Sequence, residues 1–283
     1  MTTVKFNLSL LLSVALLTSP AAAQEKPSSD PDAPVNKQQI DAALKLTKES
    51  ADKYKFTLKN DGHDEAKLVV EPILKWSNPA AGEIHGNVFL WTTEGRPVVV
   101  GSLYKWFNPH THMSHEFHSL SESALEGRFH DAEVWSPRAA GLKFTPLPEA
   151  ASPAATAPQR VLQMRRFAKD FAATKKERNG NQSELRLLPQ PIYRYSAPKQ
   201  RVVDGALFVF VQGTDPEVFV LLEARGEGEA VAWNFAATRM NSVEFRLRYH
   251  DREVWAVEIM PWKDVSSHAE VYTTFLFTKP MAP

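Results

Sequence analysis

Glu71 to Pro97 reads EPILKWSNPAAGEIHGNVFLWTTEGRP, and 119 positions later Gln190 to Pro216 reads QPIYRYSAPKQRVVDGALFVFVQGTDP. In register, Pro72/Pro191, Ile73/Ile192, Ser77/Ser196, Pro79/Pro198, Gly86/Gly205, Phe89/Phe208 and Pro97/Pro216 are identical, and Trp76/Tyr195 and Trp91/Phe210 keep an aromatic ring. Downstream, RFHDAEVW (Arg128 to Trp135) returns as RYHDREVW (Arg248 to Trp255) at an offset of 120, so one residue has been inserted between the two matches. Solenoid repeats span about 20 to 50 residues, so a period of this size is a whole domain. The pattern predicts a tandem duplication.

A helical pattern precedes each copy. Asn36 and Gln39 have the N-cap and N3 spacing of a capping box, followed by Ile40, Ala43, Leu44, Thr47, Ala51 and Tyr54, with Asn60-Asp61-Gly62 as the stop. Thr156 and Gln159 repeat that logic before Val161, Met164, Ala168, Phe171 and Ala172, and Asn179-Gly180 ends the run. Pro158 falls in the first turn, where a missing N–H costs nothing. Beyond each helix the period shifts towards two and the residues become β-branched and aromatic. Strands are expected near 66–76, 86–92, 98–106, 113–121 and 128–135, and again near 185–195, 203–212, 218–224, 231–238, 243–249, 253–260 and 271–278. Short connections such as Glu94-Gly95 and Gly213-Thr214-Asp215 favour antiparallel hairpins.

The fold class that follows is α+β: two tandem homologous repeats, each one N-terminal helix packed on an antiparallel β-meander. Residues 36–136 form the first repeat and 158–283 the second, joined by a Pro/Ala-rich linker at 137–157. The stretches GNVFLW, GSLYKW, THMSHEFHSL, LRLLPQPIYRY, DGALFVFVQGTDPEVFVLLEAR and RMNSV together resemble a family of secreted proteins of planctomycete bacteria. The resemblance covers both repeats. It implies export and a shared fold, and brings no reaction, ligand or catalytic residue with it.

Residues 1–23 have the form of a cleavable signal peptide: Lys5, an apolar run from Phe6 to Thr18, and Ala21-Ala22-Ala23 before the cut. The run is too short to span a bilayer, which needs about 20 residues. Residues 24–35 carry three prolines and no large apolar side chain before Val35, and read as a disordered tail. The chain is expected to be exported, periplasmic or extracellular. It has no cysteine, which excludes a disulfide framework. Thirty-three basic residues balance thirty-three acidic ones, so no nucleic-acid footprint is present.

The one dense set of potential ligands is PHTHMSHEFHS, with His110, His112, His115, Glu116 and His118. Imidazoles so spaced can hold Zn²⁺, with Glu116 as a base. Against that, His115 and His118 are three apart and face opposite sides of a regular strand, and no HExxH spacing occurs. His130-Asp131 and His250-Asp251 recur in both copies, where a hairpin corner competes with an acid–base pair. Trp76, Trp91, Tyr104, Trp106 and Trp135 could stack on sugars or fill a core. Gly86 and Gly205 call for a positive φ or a close approach. No catalytic signature stands out. The leading expectation is a non-enzymatic binding or envelope-associated module without a cofactor, and the alternative is a zinc-like metal-dependent hydrolase using the cluster from His110 to His118.

Overall fold

The runs VFLW and ALFVFV do not alternate, and a strand tolerates an unbroken apolar run only when both of its faces are covered. The computed structural model, which describes residues 34–59 and 64–277, shows what covers them. The first half of the chain forms α1 (Pro34–Ala51), β1 (Tyr54–Leu58), β2 (Glu65–Leu68), β3 (Leu74–Ser77), β4 (Glu83–Thr93), β5 (Arg96–Asn108), β6 (Met113–Ser119), β7 (Leu125–Phe129), β8 (Ala132–Trp135) and β9 (Thr145–Pro146). The second forms α2 (Ala157–Lys169), β10 (Phe171–Lys176), β11 (Gln182–Leu187), β12 (Tyr193–Ala197), β13 (Val202–Gln212), β14 (Asp215–Arg225), β15 (Ala232–Arg239), β16 (Glu244–Tyr249), β17 (Arg252–Val257), α3 (Trp262–Val265) and β18 (Tyr272–Phe277).

One sheet has the order β18-β6-β5-β4-β2-β1-β7-β8, with β3 also on β4. The other has the order β9-β15-β14-β13-β11-β10-β16-β17, with β12 also on β13. One is barrel-like and the other a half-barrel. The two orders match place for place, and each sheet's outer strand comes from beyond its own run: β9 pads β15, and β18 pads β6 from Tyr272↔His118 to Phe277↔Met113.

The expected α+β class, a helix on a meander in each repeat, is therefore wrong: the molecule is mostly β. Two sequence features misled. Tyr54 and Phe171 fit the helical period, yet Tyr54, Phe56 and Leu58 alternate inward on β1, and Phe171 and Ala173 do so on β10. The expected helices swallowed both strands. Order also fails to follow sequence, because β7 pairs along the whole of β1, from Tyr54↔Phe129 to Leu58↔Leu125, on the far side of the sheet from β6. The strand expected at 66–76 is two, β2 and β3, and the one at 128–135 turns at His130-Asp131 into β7 and β8. Asn36 lies inside α1, whereas Thr156 is the N-cap of α2 and pairs with the Gln159 side chain at 2.9 Å.

Strand alternation divides each central strand between two cores. On β4, Val88 and Leu90 join Leu207, Val209, Phe219 and Leu221 in an apolar seam between the sheets. Phe89 and Trp91 face the other way, towards Phe56, Phe117 and Trp135. Phe208 and Phe210 on β13 do the same for Phe167, Phe171 and Phe245. Gly86 and Gly205 sit opposite Trp76 and Tyr195, whose rings lie over them: a Cβ would come within 2.2 Å and 2.6 Å of those rings. The close approach, with no positive φ, is what these glycines serve. The segment 137–157 is packed through Leu142 and Leu147.

The exchanged outer strands make a concrete prediction. A protease site engineered at the exposed Ala151–Ser152 pair, between β9 and α2, should leave the two fragments bound. Each still carries a strand of the other's sheet. Co-elution on gel filtration is expected, and separation into two peaks would contradict the exchange.

Candidate functional site at the seam between the sheets

The seam is apolar in its middle and polar at both ends, and the two ends differ although they stand in register. Position 96, just after the β4–β5 turn, is arginine, and its counterpart after the β13–β14 turn is Asp215. Position 104 is tyrosine, and its counterpart is Glu223.

At the first end Arg96 reaches across the seam. Its Nε donates to Glu223 Oε1 at 2.8 Å, its Nη2 to Glu223 Oε2 at 3.2 Å and to Glu122 Oε2 at 2.8 Å, and its Nη1 to Gln200 Oε1 at 3.1 Å. Arg225 donates from Nη1 and Nη2 to the two oxygens of Glu122 at 3.1 and 2.8 Å. Tyr195 donates to Glu223 Oε1 at 2.7 Å. Phe144 lies against both guanidinium groups, at 5.2 Å from Arg96 and 4.4 Å from Arg225. Burial works against the charge of Arg96, but Glu223 outweighs it and raises the pKa. Burial likewise opposes the charge of Glu122, and its hydrogen bonds from Arg225 and Arg96 hold the carboxyl below its usual range. A cavity of about 300 Å³ opens here, with Arg96, Ser121, Glu122, Ser123, Gln200 and Arg225 among its polar lining and Leu58 and Val98 as its apolar lining.

The second end gathers carboxyl groups. Asp215 accepts from Asn78 Nδ2 at 3.2 Å, and Glu116, half-buried on β6, accepts from Tyr104 Oη at 2.9 Å. Glu217 is buried and holds Lys175, which also donates to Gln212 at 3.0 Å and pairs with Glu177 at 2.9 Å. Burial, reinforced by Asp215, pushes the Glu116 carboxyl up to about 8. Burial also raises Asp215, to about 6. For the Lys175–Glu217 pair, burial opposes the lysine's charge, but Glu217 and Glu177 hold its pKa above the usual value.

Glu116 supplies a pH prediction. Its folded pKa of about 8 exceeds the ordinary 4.5, so the fold favours the protonated form. Its contribution is complete below pH 4.5 and is lost as pH rises through 8. Urea midpoints of wild type minus those of Glu116→Gln should fall across that window. A flat difference would remove the assignment.

The histidines of the candidate metal cluster divide among three places. His110 is exposed and His112 half-buried beside Trp106, with their ring centroids 5.4 Å apart. His115 is fully buried on the inner face of β6, where its Nδ1 is hydrogen-bonded to Tyr54 Oη at 2.8 Å. His118 donates from Nδ1 to the Ser119 carbonyl at 2.8 Å. Burial lowers His115 to about 3 and His118 to about 4 and keeps both neutral. Glu116 faces the seam, away from His115. Among the described residues, no group of three or more His, Cys, Asp or Glu side chains is arranged to hold a metal ion.

His130-Asp131 and His250-Asp251 form the β7–β8 and β16–β17 corners, with a positive φ at His130, His250 and Asp251, and the amide N–H groups of His130 and His250 donate to the carbonyls of Lys53 and Asp170. Trp76, Trp91 and Trp135 are core residues. The sequence reading passed over Arg96, Glu122, Lys175, Asp215, Glu217, Glu223 and Arg225. The signal that could have found them is charge inside unbroken apolar strands: Glu217 and Glu223 interrupt DPEVFVLLEAR, where neither face offers water. No helix among the described residues is long and apolar enough to cross a membrane. No family model, no curated protein and no solved structure matches the chain.

Proposed function

We propose that the protein is an exported, non-enzymatic binding or envelope-associated module, and that the polar cavity at the Arg96 end of the seam is its binding site. The observation that carries this reading is the cavity itself. It is about 300 Å³, in the size range of small-molecule sites, and its lining offers donors and acceptors fixed by mutual hydrogen bonds. Both arginines there are paired with carboxylates, Glu122 and Glu223, and Asp64 adds a further acceptor to the lining, which suits recognition of polar groups more than displacement chemistry. The rival, a zinc-like hydrolase, needs His115 or His118 beside His110 and His112, and the strand sends His115 and Glu116 to opposite faces. Export rests on the signal-like residues 1–23, which lie outside the described residues, as do residues 24–33 of the tail expected at 24–35, whose last two residues instead begin α1. The chain also reads as a tandem duplication, supported by the shared residues and the matching strand orders.

The test is a thermal-shift screen of small polar metabolites against chain purified without a His tag, followed by chemical analysis of whatever binds. A stabilising ligand recovered unchanged supports a binding module, and one recovered hydrolysed sinks it. Stoichiometric zinc, retained through gel filtration and lost together with thermal stability in His110→Ala/His112→Ala, would promote the enzyme instead.

A further inference from the structure

Glu122 and Glu223 neutralise the same two arginines but are built differently. Glu223 is locked in: its side chain is 0 % exposed, and it is held by Arg96 and Tyr195. Glu122 stands on the Ser121–Ser123 bend after β6 with 37 % of its side chain exposed. Its carboxylate lies in the cavity lining and takes three N–H donors, two from Arg225 and one from Arg96. The arginine forks stay in place without it, because Glu223 and Gln200 hold Arg96 and Phe144 lies against both guanidinium groups. With Glu122 swung out, Arg96 and Arg225 keep Glu223 as their carboxylate partner, and the three N–H donors that Glu122 occupied face the cavity, which Asp64 also lines. Guanidinium forks match carboxylates and phosphates alike, and the position vacated here is one that a carboxylate already fills. The counterpart end has Asp215 at the place of Arg96 and Trp106 at that of Arg225, so it does not repeat this seat.

We propose that this cavity takes a small hydroxylated monocarboxylate, of the sugar-acid class, whose carboxylate replaces that of Glu122 between Arg96 and Arg225, so that Glu122 is a built-in competitor. The hydroxyls of Ser121 and Ser123 and the amide of Gln200 meet the ligand's hydroxyl groups. This rests on the binding-module reading and adds the ligand class and the gate.

The experiment is isothermal titration of the full chain with D-glucuronate, with D-glucose as the uncharged match and inorganic phosphate as the generic anion. Glu122→Ala should bind glucuronate at least about tenfold more tightly than wild type, since the competing carboxylate is gone. Glu122→Gln keeps the side chain's size and should show a smaller gain in the same direction, which preserves the test if the alanine variant folds poorly. Adding Arg225→Gln to either variant should abolish the gain. Glucuronate affinity unchanged by both Glu122 variants, or phosphate bound as well as glucuronate, overturns the proposal. Glucose bound as tightly as glucuronate overturns the carboxylate seat yet leaves the binding-module reading standing, whereas turnover of any bound sugar would sink that reading.

Discussion

Arg96→Leu should lower the free energy of unfolding by about 3 to 5 kcal/mol, the usual cost of stripping a buried charge of its partner. The partner is Glu223, fully buried on β14, which would keep only the Tyr195 hydroxyl at 2.7 Å and the Arg225 Nε at 3.4 Å. Neither replaces a two-pronged guanidinium. The same variant also removes a donor from Glu122, but that carboxylate is part-exposed and retains Arg225, so its share of the loss is small. Adding Glu223→Leu should recover most of the stability, because an apolar pair of similar volume suits a seam whose neighbours are Leu221 and Val100. Urea denaturation of the two single variants and the double variant completes the cycle. If Arg96→Leu alone unfolds within about 0.5 kcal/mol of wild type, the range of ordinary surface changes, the ion pair is not the clasp described.

Phe89→Ala and Phe208→Ala should each cost about 3 to 5 kcal/mol through loss of buried area and the cavity left behind. Both rings are fully buried, and both belong to the cores on the sides of the sheets away from the seam. Their surroundings differ: Phe89 stands opposite Gly101, beside Trp91 and Phe117, whereas Phe208 stands opposite Val220 in a core that includes Phe167 of α2. The two costs should nonetheless agree in size. Chemical denaturation in which one variant behaves like wild type would mean that the two strands are not equivalent.

The repeated spacing from Pro72 through Gly86 to Pro97 made the central hairpins legible, because Gly86 and Gly205 owe their identity to one contact with a ring on the strand just before, Trp76 and Tyr195. The Glu94-Gly95 turn was legible for the same reason: both residues have positive φ, as a tight two-residue hairpin demands. What escaped was set by distant partners. Nothing near Tyr54 says that its hydroxyl meets His115, so its place in a helical period was as plausible locally as its place on β1. A four-residue strand such as β8 or a two-residue one such as β9 has too little pattern to be seen before its partner is known. The candidate site escaped because it joins Arg96 to Glu223 and Asn78 to Asp215, pairs drawn from opposite halves of the chain. The histidine cluster attracted attention through sequence density alone, and strand alternation disperses it.

The exchanged outer strands also bear on the order in which the molecule can be completed. β6 is made early, yet its edge stays unpaired until β18 emerges, because Tyr272 pairs with His118 and Thr273 with Phe117. A chain growing from its N-terminus therefore carries an unfinished sheet, with Phe117 and its buried neighbours exposed along one side, through the synthesis of the whole second half. Such long-range closure slows folding and prolongs the interval in which an open edge can pair with another chain. For a polypeptide threaded unfolded through a membrane this timing is tolerable, since both halves arrive together on the far side. For one folding as it leaves the ribosome it is a hazard.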